Sequence, residues 1–411
     1  MNPPAAHLSA DLSPRVGFVL LLAALSTIGP FSMDTFLPSL PALEADLSAT
    51  PLQSQQALSF YLLGYGLMSL WHGAISDAVG RRPVLLVGLA VYALAALVCT
   101  LAPTIEVLIA ARLVQGLAGG TGMVISRAII RDCFDGVKAQ KLMSTVMLIF
   151  SIAPAIGPII GGYLHEWSGW RSVFSFMLVG SIILWFWIWR ALPETLPPAQ
   201  RAPLNVRAMA RGYREIFTRV EFQFLAGTIA FNFSTFFVYA MASPAFILSH
   251  LQLTATDFAV FFLPVVAGMM LGAALSGQLA GRLSYRRTVR VGFVVLAAGM
   301  LVNLVLQFTV APGMARGPWL TFVSIAPLFF ASAGQAMITP SVQLMLMDLY
   351  PQRRGMMSSC QGFTQVMVSV VTAGVIAPLV SATAQHLAVA ATCFMLAGAT
   401  CWWLYNRTRK R

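Results

Sequence analysis

The stretch Val16-Gly-Phe-Val-Leu-Leu-Leu-Ala-Ala-Leu-Ser-Thr-Ile-Gly-Pro-Phe-Ser-Met-Asp34-Thr-Phe-Leu-Pro38 decides the fold class. It is long enough to cross ~30 Å of hydrocarbon as a helix. It carries one charged side chain, Asp34. A charge at bilayer depth is costly, and one that persists there marks a function. Asp34 is therefore the first candidate site residue.

Runs of this kind recur along all 411 residues, of which 58% are hydrophobic and 10% charged. A soluble domain is nearer ~25% charged. Twelve spans are expected, at 16–38, 53–75, 83–102, 106–128, 141–164, 172–191, 222–248, 257–280, 289–311, 318–341, 356–380 and 385–405. The apolar runs are continuous and do not alternate, which excludes membrane β-strands. The chain reads as an all-α polytopic membrane protein. The flank before the first span lacks a basic cluster, so that span is expected to be retained and not cleaved.

The formal net charge of +12 could suggest a nucleic-acid partner, but its placement argues otherwise. With a cytoplasmic N-terminus and alternating spans, the 26 Lys and Arg fall in cytoplasmic segments except Arg112, Arg171 and Arg316. That asymmetry predicts cytoplasmic N- and C-termini. The basic loops then meet anionic phospholipids, and no nucleic acid is expected. The five cysteines are scattered, with no metal-ligand or disulfide spacing. No nucleophile–base pair stands out, so no enzyme activity and no catalytic residue are expected.

The longest polar interruption, 192–221, is rich in Pro and Arg and divides the spans into six and six. The expected domains are 1–191 and 222–411, joined by a cytoplasmic linker. Val206, Met209, Tyr213, Ile216 and Phe217 recur in that linker at helical spacing among arginines, a pattern for an amphipathic surface helix. Gly73-x-x-x-Asp77-x-x-Gly80-Arg81-Arg82 after the second span has a degraded echo at 277–287 after the eighth. Repeated six-span halves describe a transporter that rocks about a midplane site.

Three further patterns lie in the first half. Leu108-Ile-Ala-Ala-Arg112-Leu-Val-Gln115-Gly116 puts a cation inside the fourth span. Such a cation needs a counter-charge, for which Asp34 is the deep candidate, or acceptors such as backbone carbonyls and Gln115. Ala153-Pro154-Ala-Ile-Gly157-Pro158-Ile-Ile-Gly161-Gly162 in the fifth span combines helix-bending prolines with close-packing glycines. Leu192-Pro-Glu194-Thr195 closes the sixth span.

Together these motifs resemble the major facilitator superfamily. They are most similar to its twelve-span drug:proton antiporters of the bicyclomycin- and chloramphenicol-resistance group. The resemblance implies two six-helix bundles around a central cavity in a bacterial inner membrane. It implies a monomer with no cofactor, using the proton gradient as energy source. It assigns Gly73, Asp77, Gly80, Arg81 and Arg82 to a cytoplasmic gate, and Pro154, Gly157, Pro158, Gly161 and Gly162 to a helix that favours antiport. It assigns Asp34 and Arg112 to proton coupling. Ser26 or Thr27 stands where some multidrug relatives carry a second acid, which puts a two-acid scheme in doubt.

The expected partners are protons and small lipophilic or amphipathic drugs. Mid-span candidates for drug contact are Tyr61, Tyr65, Met147, Phe150, Asn232, Phe236, Tyr239, Phe261, Phe262, Gln335, Gln361 and Gln365. Twenty methionines would let such a cavity adapt to varied shapes. An exporter of a sugar or peptide-like metabolite, or a non-transporting receptor or scaffold, remains as an alternative. His72, His165, His250 and His386 sit at span ends and are expected to be solvated.

Overall fold

The structure is a computed structural model. It describes residues 16–408 apart from 135, 281, 316 and 351–352, and no side chain at 136, 137, 140, 147, 148 or 151. Met147, one of the drug-contact candidates, thus lies outside the described side chains. The described residues form helices and no strand, apart from an isolated bridge between Ala280 and Leu283.

In chain order the helices are α1 (Val16–Asp34), α2 (Leu40–Asp46), α3 (Pro51–Ser69), α4 (His72–Val79), α5 (Arg81–Leu101) and α6 (Ile105–Gly119). They continue with α7 (Thr121–Cys133), α8 (Gly136–Ser168), α9 (Arg171–Ala191), α10 (Val206–Phe217), α11 (Val220–Met241) and α12 (Phe258–Leu279). The last are α13 (Tyr285–Thr309), α14 (Pro318–Met347), α15 (Arg354–Val371), α16 (Ala377–Val380) and α17 (Ala384–Thr408). Every expected span coincides with helix. Among the described residues, ten helical stretches are long and apolar enough to cross a membrane. The expected spans at 53–75 and 141–164 are helical as α3–α4 and α8 but are not among those ten. In α3 the apolar character is diluted by Gln53, Ser54, Gln55, Gln56 and Ser59.

The contacts divide the chain into two compact units. The first holds α1 through Phe36 and residues 60–206. The second holds 37–59 and everything from Arg207 onward. The division falls inside the expected linker, but the chain also lends 37–59 to the second unit.

In the first unit α1 lies against α7 and α8, and α5 lies against α6 and α9. Its core is aliphatic: Leu21, Leu22 and Leu25 of α1 meet Leu89, Ile125, Ile129 and Ile188. Small residues let the backbones touch. A Cβ at Gly122 would collide with the carbonyl of Leu25, and one at Gly116 with the carbonyl of Tyr61. Without a hydrophobic drive between helices in lipid, such close approach is what gives the packing its strength.

In the second unit α14 packs between α12 and α13, and α11 lies along α17. Gly272 against the carbonyl of Ala333 makes the same kind of seam. The helix α10 falls within the polar stretch 192–221. Its buried residues are Gly212 and Ile216, and Gly212 faces Met356. Phe217 meets Phe363 edge-on, with ring centroids 5.8 Å apart, and Glu215 pairs with Arg353 at 2.7 Å. The apolar side of α10 is therefore taken up by α15 of its own unit. Burial there pushes the Tyr213 hydroxyl up to about 12. The segment 37–59 joins this unit through Gln55 Nε2 donating to Met241 O (3.1 Å) and Ser59 Oγ donating to Val370 O (3.0 Å).

Candidate functional site

Two charges are buried deep in the first unit, on different sides of α1. Asp34 ends that helix and is 6% exposed. It lies against α8: a Cβ at Gly157 would come within 2.9 Å of Asp34 Cβ, and Gly161 faces the carbonyl of Thr35. The Pro-Gly motif of α8 is thus the wall against which the acid sits. Larger residues at 157 and 161 would push it away.

Arg112 is wholly buried on α6. Its Nη1 donates to Gln115 Oε1 at 2.7 Å and to Ser32 Oγ at 3.2 Å. Its guanidinium carbon lies 4.1 Å from the ring centroid of Tyr61, 5.4 Å from that of Phe36 and 5.7 Å from that of Phe174. A desolvated contact of this kind is worth ~2 kcal/mol, which spreads the cation over π-faces. The described contacts of Arg112 do not include Asp34. The reason is helical geometry. Ser32 faces the arginine, and residues two apart on a helix do not share a face. Asp34 is therefore turned away, toward α8.

Tyr61 is part of this box. It is 1% exposed and its hydroxyl donates to Gly29 O at 2.7 Å. Tyr65 is half-buried and donates to Met123 Sδ at 3.1 Å, and Phe150 is half-buried on α8. Ser32, Phe36 and Phe174 were not singled out in the sequence. Each is an ordinary residue for an apolar helix, and only the fold brings them around Arg112.

The second-unit candidates fall into groups. Phe236, Phe261 and Phe262 form one aromatic cluster, with centroids 6.2 Å apart for Phe236–Phe261 and 4.9 Å for Phe261–Phe262. Tyr239 is enclosed beside it, edge-on to Phe246, and its hydroxyl accepts from Asn303 Nδ2 at 2.9 Å. Asn232, one turn before Phe236 on α11, is buried under Gly398 of α17. Gln335 is buried on α14. Gln361 donates to Gln365 at 3.0 Å on α15.

The loop motif and the end of the sixth span make a third cluster, in the first unit. Gly80 has φ +115°, a left-handed conformation that favours glycine. A Cβ there would also strike the Glu194 carboxylate. Glu194 accepts from the backbone N–H of Arg81 (2.9 Å) and of Arg82 (3.2 Å), and so caps the N-terminus of α5. The Arg81 side chain pairs with Asp77 at 2.5 Å and Asp132 at 2.9 Å and donates to Ser76 at 2.7 Å. Gly73 lies 3.7 Å, by its absent Cβ, from Val124. His72, just before it, is not solvated as expected. It is 3% exposed and lies 3.0 Å from Thr121 Oγ1, because α4 folds back against α7.

The family model described as Major Facilitator Superfamily matches residues 19–373. The chain is 26% identical to the Bicyclomycin resistance protein homolog of Haemophilus influenzae over 96% of this chain and 97% of that one. It is 28% identical to Multidrug resistance protein D of Escherichia coli, over 94% and 95%. A crystal structure of a D-xylose-proton symporter superposes with a TM-score of 0.71 at 14% identity, covering 94% of this chain and 97% of the other. At that identity the likeness shows the fold alone. The chain belongs to the major facilitator superfamily: it is an all-helical, multi-pass membrane transporter and not an enzyme.

Proposed function

We propose that this transporter exports small lipophilic or amphipathic drugs in exchange for protons, with Asp34 as the proton carrier. The observation that carries the reading is that Asp34 is the only buried carboxylate among the described residues. The names of the relatives, which include a bicyclomycin resistance homolog and a multidrug resistance protein, support the class of substrate.

Proton and drug compete for one carboxylate. A proton neutralises the carboxylate, and a cationic or hydrogen-bonding drug needs the anion. Each ligand binds one form better, and that differential affinity is sufficient for exchange. Facing the cytoplasm, Asp34 loses its proton and drug binds. Facing outward, a proton displaces the drug. Arg112 acts without touching the acid. It fixes the Ser32 turn of α1 through Ser32 and the Tyr61, Phe36 and Phe174 rings, and so sets where Asp34 points. Gly157 and Gly161 of α8 give the acid a flat wall on which to move. Tyr65 and Phe150 in the first unit, and Phe236, Gln361 and Gln365 in the second, are the candidates for drug contact. The Arg81–Asp77–Asp132 cluster acts as the cytoplasmic latch. The protein works as a monomer in a bacterial inner membrane with both termini cytoplasmic, its basic loops against anionic phospholipids. It needs no cofactor beyond the proton gradient.

The test is proton-driven efflux in everted vesicles with ethidium as the probe. Asp34→Asn should abolish uphill transport while the protein remains folded and inserted. Uphill efflux at the parental rate in Asp34→Asn would overturn the reading.

A further inference from the structure

The stretch 194–202, just beyond α9, touches the charged cluster of the first unit at five places. Glu194 accepts from the backbone N–H groups of Arg81 and Arg82, and also from that of Leu196 at 2.9 Å. Thr195 Oγ1 donates to Asp132 Oδ2 at 3.3 Å. The backbone N–H of Ala202 donates to Asp77 O at 3.1 Å. A Cβ at Gly80 would lie 3.0 Å from Arg201 Nη2. Asp77, Gly80, Arg81, Arg82 and Asp132 come from α4, α7 and the turn into α5, and one short run of chain in the same unit gathers them.

The start of α5 explains why such a run is needed. A helix N-terminus presents backbone N–H groups without helical partners and the positive end of the helix dipole. Asp77 and Asp132 both reach Arg81, the first residue of α5. Left open, that helix end would draw a carboxylate to itself, and the Arg81 guanidinium would lose a partner. Glu194 fills the helix end and leaves both aspartates to Arg81. Gly80 makes room for it, because a side chain there would displace the Glu194 carboxylate. The two aspartates are not equivalent. The Asp77 side chain is 51% exposed and that of Asp132 only 17%. Asp132 is therefore the enclosed seat, and its Oδ2 is shared between Arg81 Nε and Thr195 Oγ1.

We propose that Glu194 is a positioning residue of the latch. By capping α5 it keeps the Arg81 guanidinium seated between Asp77 and Asp132, while Thr195 holds Asp132 to receive it. The proposal rests on the reading of Arg81, Asp77 and Asp132 as a latch. The loop motif at 73–82 and the Leu192-Pro-Glu194-Thr195 motif then form one device. A cap that served α5 alone would protect only the start of α5. A positioning residue also steadies the end of α7, on which Asp132 sits.

The test is hydrogen–deuterium exchange on the full chain in nanodiscs, read for residues 81–84 at the start of α5 and 129–134 at the end of α7. Glu194→Gln keeps the size, removes the charge and sets an amide N–H against a backbone N–H. It should speed exchange about tenfold in both segments, the loss of a charge-assisted bond. Arg81→Ala should speed 129–134 as much, and adding Glu194→Gln to it should speed that segment no further. Thr195→Val should speed 129–134 and leave 81–84 unchanged. Glu194→Asp keeps the charge on a shorter stem and should speed both segments less. It serves as the reading if Glu194→Gln does not insert. A Glu194 variant that alters 81–84 alone overturns the proposal, as for a cap that serves its own helix. So does an effect on 129–134 that multiplies that of Arg81→Ala. Efflux by Arg81→Ala tests the latch itself. Exchange reads no transport, so the two can fail separately.

Discussion

The interiors of the two units are built from different chemistry. In the first, the buried acidic and basic side chains among the described residues are Asp34, His72, Arg81 and Arg112. In the second, the buried polar residues are neutral Ser, Thr, Asn and Gln, and the space between α11 and α12 is filled by phenylalanines. The shared fold therefore carries a division of labour. Among the described residues, buried acidic and basic side chains are kept in one half, and neutral polar and apolar ones fill the other. A buried cation is tolerated where aromatic faces and fixed acceptors surround it, as they surround Arg112 in the first unit.

Six variants, in four tests, would break or sharpen that contrast. The largest effect is expected from Asp34→Asn, which should eliminate proton-driven ethidium efflux, whereas Gln365→Leu in the second unit should alter which drugs are carried without uncoupling transport. Drug-resistance panels beside vesicle efflux would check both.

Next is Arg112→Met. Replacing a buried charge by an apolar side chain of similar length is often neutral or stabilising. The thermal midpoint should therefore hold. The loss of one desolvated cation–π anchor, ~2 kcal/mol, should cut efflux about thirtyfold. A folded variant with parental efflux would remove Arg112 from the mechanism.

A third comparison sets Gly157→Ala against Gly272→Ala. Both add a methyl group to a closed seam, and both should cost about 1–3 kcal/mol of stability. Only Gly157→Ala presses on Asp34, so only it should also lower the drug-stimulated proton flux per folded molecule. The smallest effect is expected for Tyr239→Phe. Loss of its bond with Asn303 should cost ~1 kcal/mol in unfolding experiments and leave the proton dependence of transport unchanged.

How far the residues announced this arrangement depends on the distance over which each acts. Asp34 and Arg112 were legible because a charge inside an apolar run has few explanations. The close packing of α8 was legible from Pro154, Gly157, Pro158 and Gly161, but the surface it packs against was not. Glycines mark where a backbone comes near, and not whose backbone it is. A direct Asp34–Arg112 pair is what two lone opposite charges suggest. The geometry of α1 instead gives Ser32 to the arginine and Asp34 to α8. The aromatic box was hidden for a statistical reason, since rings are common in apolar helices and nothing local separates Phe36 or Phe174 from the rest. Glu194 as the cap of α5 was hidden because it lies more than a hundred residues further along the chain. His72 was misjudged because a position at the end of a span says little about burial once α4 folds back on α7.

The claim at the centre of this account is that proton and drug exclude each other at Asp34, and it can be measured without a membrane potential. Purified protein in weak buffer near neutral pH is titrated with tetraphenylphosphonium while proton release is followed with a pH indicator. The account predicts release of up to about one proton per drug bound, vanishing in Asp34→Asn although the drug still binds. Undiminished proton release from Asp34→Asn would contradict it.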